Sequence, residues 1–99
     1  MAYKNSITLN RENRALKVTG RVQGVYYRAT ICQIANEMNL TGYVMNMPDW
    51  SVLIEVEGAR DQLNEFRMLC EKGTVSSVVN EIVVVTGEVK GYTDFKIRY

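Results

Sequence analysis

The chain has 99 residues, 46% apolar and 23% charged, with 12 Lys and Arg against 11 Asp and Glu and a formal net charge of +1. That length suits one domain with a single two-layer core, and the charge balance argues against a general polyanion binder, which carries a concentrated basic excess. Histidine is absent from the sequence, which excludes His bases, Ser-His triads and His-ligated metals.

In chain order, residues 1–14 are polar and Asn-rich, with only Ile7 and Leu9 suggesting order. They read as an N-terminal extension, either a loose arm or a short strand added at a sheet edge, and they lack the apolar core of a signal peptide. From Ala15 the alternation of Leu16 and Val18 with Lys17 and Thr19 predicts a strand ending at Gly20. A glycine-containing loop follows. Ile31, Ile34, Ala35 and Met38 then recur at helical spacing, and Asn39 and Gly42 close that helix. GYVMNM predicts a second strand, Pro48-Asp49-Trp50 a turn, and SVLIEVE a third strand. In the third, Val52, Ile54 and Val56 share one face and Glu55 and Glu57 the other, expected to be solvated. Asp61 begins a second helix striped by Leu63, Phe66 and Leu69, with Gly73 as its stop. EIVVVTGEV and FKIRY complete the strands.

The order β-α-β-β-α-β, with a further strand at the end, has two helices that each carry one apolar stripe. Such helices cover only one face of a sheet. The expected fold is therefore an α+β, ferredoxin-like two-layer sandwich over residues 15–99, its antiparallel sheet backed by both helices. Cys32 and Cys70 fall in the predicted helices, far apart in sequence, and read as structural, packed as small hydrophobes in a reduced, cytoplasmic setting. No apolar run approaches the length of a membrane span.

The loop GRVQGVYYR, residues 20–28, is where chemistry concentrates. From Arg21 to Ala29 there is no Ser, Thr, Asp or Asn to cap the helix that follows, so several backbone N–H groups lack a side-chain partner. Arg28 adds a cation at the positive end of the helix dipole. An oxyanion accounts for both features. Gly20 and Gly24 permit positive φ or close backbone approach, successive N–H groups form an anion nest with the helix N-terminus, and the Arg28 fork suits phosphoryl oxygens. A plain glycine loop with Arg28 in solvent is the competing reading of the spacing alone.

GRVQGVYYR resembles the G-x-V-Q-G-V-x-F-R signature of the acylphosphatases, and GYVMNMPDW, residues 42–50, is similar to their G-W-V-x-N-x-x-D-G block. VEG at Val56–Gly58 and the closing FKIRY also fit, so the likeness spans residues 15–99. The resemblance implies metal-independent hydrolysis of a small-molecule acyl phosphate to a carboxylate and inorganic phosphate, without a cofactor. It implies that Gln23, Gly24, Val25, Tyr26, Tyr27 and Arg28 supply the backbone cradle, that Arg28 binds phosphate, and that Asn46 holds the attacking water. An asparagine cannot act as a base at neutral pH but can orient water. The lack of any base in either block leaves a substrate phosphate oxygen to take the water proton.

Three positions depart from the family pattern. Tyr27 replaces Phe and Tyr43 replaces Trp, both keeping a large ring. Trp50 replaces the usual turn glycine, and because tryptophan resists positive φ, the turn is expected to change type or shift its residues. A non-catalytic phosphate- or acyl-phosphate-binding module of the same fold is the alternative function, since similar domains occur within larger maturation proteins. The free-standing chain favours the enzyme. An RNA-binding module would need open-face aromatics and basic flanks, against which Glu55 and Glu57 count. Neither nucleic acid nor membrane is an expected partner, and a monomer is expected.

Overall fold

The structure is a computed structural model and describes residues 11–99. Five strands, β1 (Arg11–Arg21), β2 (Thr41–Asn46), β3 (Val52–Ala59), β4 (Val78–Gly87) and β5 (Phe95–Arg98), form one sheet in the order β4-β1-β3-β2-β5. Helices α1 (Tyr27–Glu37) and α2 (Arg60–Lys72) connect β1 to β2 and β3 to β4. This is the expected α+β sandwich, with one addition. β1, β2, β3 and β4 pair antiparallel, but β5 pairs parallel to β2, so the sheet is mixed and not wholly antiparallel.

The period-2 pattern of β3 explains the core. Val52, Ile54 and Val56 are fully buried and join Leu16, Val18 and Val44 of the neighbouring strands. Tyr27, Ile31 and Ala35 of α1 and Leu63, Phe66 and Cys70 of α2 close over them. Each such large aliphatic or aromatic side chain contributes about 1.5–3 kcal/mol by leaving water. The α2 stripe therefore runs through Cys70, with Leu69 only half-buried. Cys70 and Cys32 are both free thiols, and burial pushes the Cys70 thiol well above its usual range.

Helix α1 ends in a Schellman arrangement. Asn39 takes a left-handed φ of 57°, its N–H donates to the Asn36 carbonyl (3.1 Å), and the Leu40 N–H reaches back to the Ala35 carbonyl (2.9 Å). Leu40, which follows, is buried in the core.

Two expectations about the sheet are corrected. β1 already includes Arg11, the first described residue, and does not wait for Ala15, so residues 11–14 belong to the sheet, and Asn13 is buried. Residues 1–10, where Ile7 and Leu9 fall, lie outside the described residues. The carboxylates of Glu55 and Glu57 are not solvated: they are 6% and 0% exposed. Asn13 Nδ2 donates to both, at 2.9 and 2.8 Å. Glu57 also accepts the backbone N–H groups of Lys90, Gly91 and Tyr92, while the Lys90 ammonium pairs with Glu55. The connection between β4 and β5 thus lies as a strap across the face that the helices leave open. Polarity at Asn13, Glu55 and Glu57 concealed that burial because each group is satisfied by a partner distant in sequence.

Burial alone would raise both carboxyls. Hydrogen bonds outweigh it: Lys90, Asn13, Tyr92 and Tyr43 bring Glu55 down to about 2, and the strap N–H groups with Asn13 hold Glu57 below its ordinary value.

Candidate active site

Gly20 and Gly24, read together from sequence, do different work. Gly20 lies within β1 at a bulge against β4, and a Cβ there would fall 2.1 Å from the Val78 carbonyl oxygen. Its close approach is to the neighbouring strand, not to a ligand. Gly24 belongs to the loop, where its φ is 72° and an added Cβ would meet nothing within 4 Å. It is required by conformation and not by space.

The loop turns into α1 through Tyr26, which has the left-handed angles φ 61°, ψ 18° and makes no side-chain cap. The Thr30 N–H donates to the Tyr26 carbonyl at 3.1 Å. Among the described residues, none of the seven backbone N–H groups from Gln23 to Ala29 has a hydrogen-bond acceptor. No acidic residue lies in the first turn of α1, so the positive end of the helix dipole is uncompensated by protein.

Three contacts hold the loop in this shape. The buried Tyr27 hydroxyl donates to the Cys70 carbonyl (2.7 Å), satisfying the polar tip that replaces phenylalanine and tying the loop to α2. Burial pushes that hydroxyl far above its usual range. The Thr74 hydroxyl donates to the Val25 carbonyl (3.1 Å). Gln23 Nε2 donates to the carbonyls of Met47 (2.9 Å) and Ser51 (2.8 Å), on either side of the turn between β2 and β3.

Val22, Gly24, Tyr26, Tyr27, Arg28, Ala29, Ile97 and Tyr99 line a cleft of about 400 Å³ at the loop. Arg28 is half-buried, its guanidinium 5.0 Å from the Tyr99 ring centroid and at a long 3.5 Å from the Arg98 carbonyl. No Asp or Glu lines the cleft, and Arg28 makes no salt bridge among the described residues. Ile97 and Tyr99 were missed as site residues. The alternation of FKIRY announced their strand, but only the parallel pairing of β5 with β2 brings that strand beside α1.

Of the residues expected at the site, Gly24, Tyr26, Tyr27 and Arg28 meet in the cleft, while Gln23 and Val25 are held by the contacts just described. Asn46 is not a lining residue. It closes β2 opposite Val52, and its Oδ1 is the one buried side-chain N or O atom without a hydrogen-bond partner among the described residues. An orphaned buried acceptor costs about 1–3 kcal/mol.

The turn after Asn46 overturns the expectation for Trp50. The Met47 N–H donates to the Ser51 carbonyl (2.8 Å) and the Trp50 N–H to the Met47 carbonyl (3.1 Å), a three-residue hairpin loop whose last position is ordinarily a left-handed glycine. Trp50 occupies that position with φ 72°, the residue 74% exposed. The turn keeps its shape and the tryptophan bears the strain, about 1–2 kcal/mol for a non-glycine residue. Asp49 braces it, accepting from the Ser51 N–H and hydroxyl and pairing with Lys17 at 3.0 Å. Those partners, Ser51 first, hold its carboxyl well below the usual range.

Among the described residues, no group of three or more His, Cys, Asp or Glu side chains is placed to share a metal ion, and no helix is long and apolar enough to cross a membrane.

Comparison with known proteins bears on the family and the fold. The Acylphosphatase family profile matches residues 14–97. An acylphosphatase of Marinobacter nauticus is 42% identical over 94 residues, covering 94% of this chain and 100% of that one. The crystal structure of acylphosphatase from Bacillus subtilis superposes with a TM-score of 0.87 at 32% identity, covering 89% of this chain and 99% of that one. Full-length HypF, solved in a phosphate- and nucleotide-bound form, matches over 90% of this chain but 12% of its own length, at 37% identity and a TM-score of 0.79. By profile, by sequence and by fold, the chain belongs to the acylphosphatase family.

Proposed function

We propose that the protein is an acylphosphatase, hydrolysing the carboxyl–phosphate bond of small acyl phosphates to a carboxylate and inorganic phosphate. The observation that carries this reading is the run of seven N–H groups, residues 23–29, without an acceptor among the described residues, at the start of α1 and beside Arg28. Backbone donors, helix dipole and guanidinium all favour an anion with several oxygens.

In the proposed reaction the loop N–H groups and Arg28 bind the phosphoryl oxygens and stabilise the charge that develops on them. A water held by Asn46 attacks phosphorus in line with the acyl oxygen. The new P–O bond forms as the P–O bond to the acyl group breaks, its electron pair leaving on the carboxylate. The water proton passes to a phosphoryl oxygen. The Asn46 Oδ1 supports the water-holding role, because it is an acceptor with no partner among the described residues. With a good leaving group, positioning and charge stabilisation can supply most of the acceleration. A cytoplasmic monomer remains part of this proposal, the two free thiols supporting the reducing setting.

The experiment is phosphate release from benzoyl phosphate, with Arg28→Ala and Asn46→Ala alongside. Turnover by the native protein that each substitution lowers by about 100–1,000-fold is the expected result. Wild-type release no faster than that of the two variants would contradict it. The likeness to a small part of HypF favours a second reading, a phosphate-binding module without turnover. In that case phosphate binds, Arg28→Ala loses it, and no acyl phosphate is consumed.

A further inference from the structure

The Gln23 side chain makes the one bridge, among the described side-chain hydrogen bonds, between the phosphate loop and the hairpin that follows Asn46. Both hydrogens of a single amide nitrogen are used, one on the Met47 carbonyl and one on the Ser51 carbonyl. Each of those carbonyls already accepts one backbone hydrogen bond within the hairpin, from Trp50 and Met47 respectively, so Gln23 takes their second lone pairs. Among uncharged side chains, only a primary amide supplies two donors on one atom. Glutamate has none when ionised, asparagine is shorter by a methylene, and methionine offers shape alone.

What Gln23 clasps is a strained element. Its hairpin holds Trp50 at φ 72°, and Met47 is bonded directly to Asn46, whose Oδ1 has no partner among the described residues. The backbone of Gln23 is at the same time the first of the seven unpaired N–H groups. The side chain therefore fixes the Asn46 strand end relative to the anion cradle, while the cradle itself is held by Tyr27 on Cys70 and Thr74 on Val25.

We infer that Gln23 is a positioning residue for the reaction: its side chain sets the distance and angle between bound phosphoryl group and the water held by Asn46, and contributes little to phosphate affinity. This rests on the acylphosphatase reading. A displacement of about 1 Å between reacting groups can lower a rate by roughly 100-fold. Loss of the clasp therefore appears in kcat, and it appears only while Asn46 is present to be misplaced.

The test measures kcat and KM for benzoyl phosphate, and the competitive inhibition constant of inorganic phosphate, for the wild type, Gln23→Met, Asn46→Ala and the double variant. Gln23→Met is expected to lower kcat by about 10–100-fold, with the phosphate inhibition constant unchanged. In the Asn46→Ala background the same substitution is expected to add almost nothing. A phosphate inhibition constant that rises in step with the loss of kcat would overturn the inference, since the side chain would then be building the cradle. So would an undiminished loss in the Asn46→Ala background, or an unchanged kcat. If Gln23→Met fails to fold, all four proteins are remade with Trp50→Gly, which removes the hairpin strain, and the same outcomes apply. Wild-type kcat in Asn46→Ala would defeat the functional reading itself; a large loss there beside a normal Gln23→Met defeats only this inference.

Discussion

The strap at Lys90–Tyr92 and the loop at residues 23–29 both present consecutive backbone N–H groups, and only the strap has a protein anion to receive them. Three strap N–H groups converge on the Glu57 carboxylate, which is wholly buried and further held by Asn13. The loop offers seven, and no acceptor among the described residues meets them. One region spends its donors on stability. The other leaves them at the mouth of a cleft with an arginine and no Asp or Glu. The same backbone chemistry is a structural fastening where the chain supplies the anion, and a binding site where it does not.

The comparison breaks most visibly at Arg28. Arg28→Ala should lower kcat/KM for benzoyl phosphate by about 100–1,000-fold, the scale of losing one charge-stabilising group, while the urea midpoint stays at the wild-type value. Circular dichroism and a urea titration check the second half. A parallel collapse of stability would mean that Arg28 is part of the fold.

Glu57→Ala should do the reverse. It removes the acceptor of three backbone donors and of Asn13, and should destabilise the protein by about 3 kcal/mol in urea unfolding, as expected for breaking a buried charged network. Turnover by the folded fraction should be unaffected.

The elements of the fold were legible because their core faces are apolar with clean periods: Leu16 and Val18 in β1, Val52 to Val56 in β3, Leu63 and Phe66 in α2. What stayed hidden is polar burial. Asn13, Glu55 and Glu57 look solvated in sequence, and only the return of the chain at Lys90 covers them. The same non-locality hid Ile97 and Tyr99 at the cleft, and the clasp of Gln23 across the hairpin. Trp50 misled for a different reason. Its preference against positive φ is real, but the hydrogen bonds of the hairpin, with Asp49 bracing it, override a penalty of about 1–2 kcal/mol.

Acid should weaken the strap. Glu55, at about 2, and Glu57 both sit below their ordinary value near 4.5. A depressed carboxyl contributes stability that is fully present above the unfolded value and is lost as pH falls through the folded one. The midpoint of urea unfolding should therefore drop as pH falls from about 4.5 toward about 2. The drop should be shallower in a Glu55→Gln, Glu57→Gln double variant. An unchanged slope in that variant would remove the strap carboxylates from the account.

The smallest effect concerns the hairpin. Trp50→Gly should raise stability by about 1 kcal/mol, because the position is already left-handed and glycine takes that conformation without strain. A destabilising result would show that the exposed ring contributes more than its backbone costs.

The claim that the two donor runs differ only in whether the chain supplies their anion is tested most directly by amide NMR of the native protein titrated with inorganic phosphate. The account predicts saturable shifts of the amides of residues 23–29, lost in Arg28→Ala, and no shift at Lys90, Gly91 or Tyr92, whose donors are taken. Amides at 23–29 that do not respond, or a response centred on the strap, would contradict it.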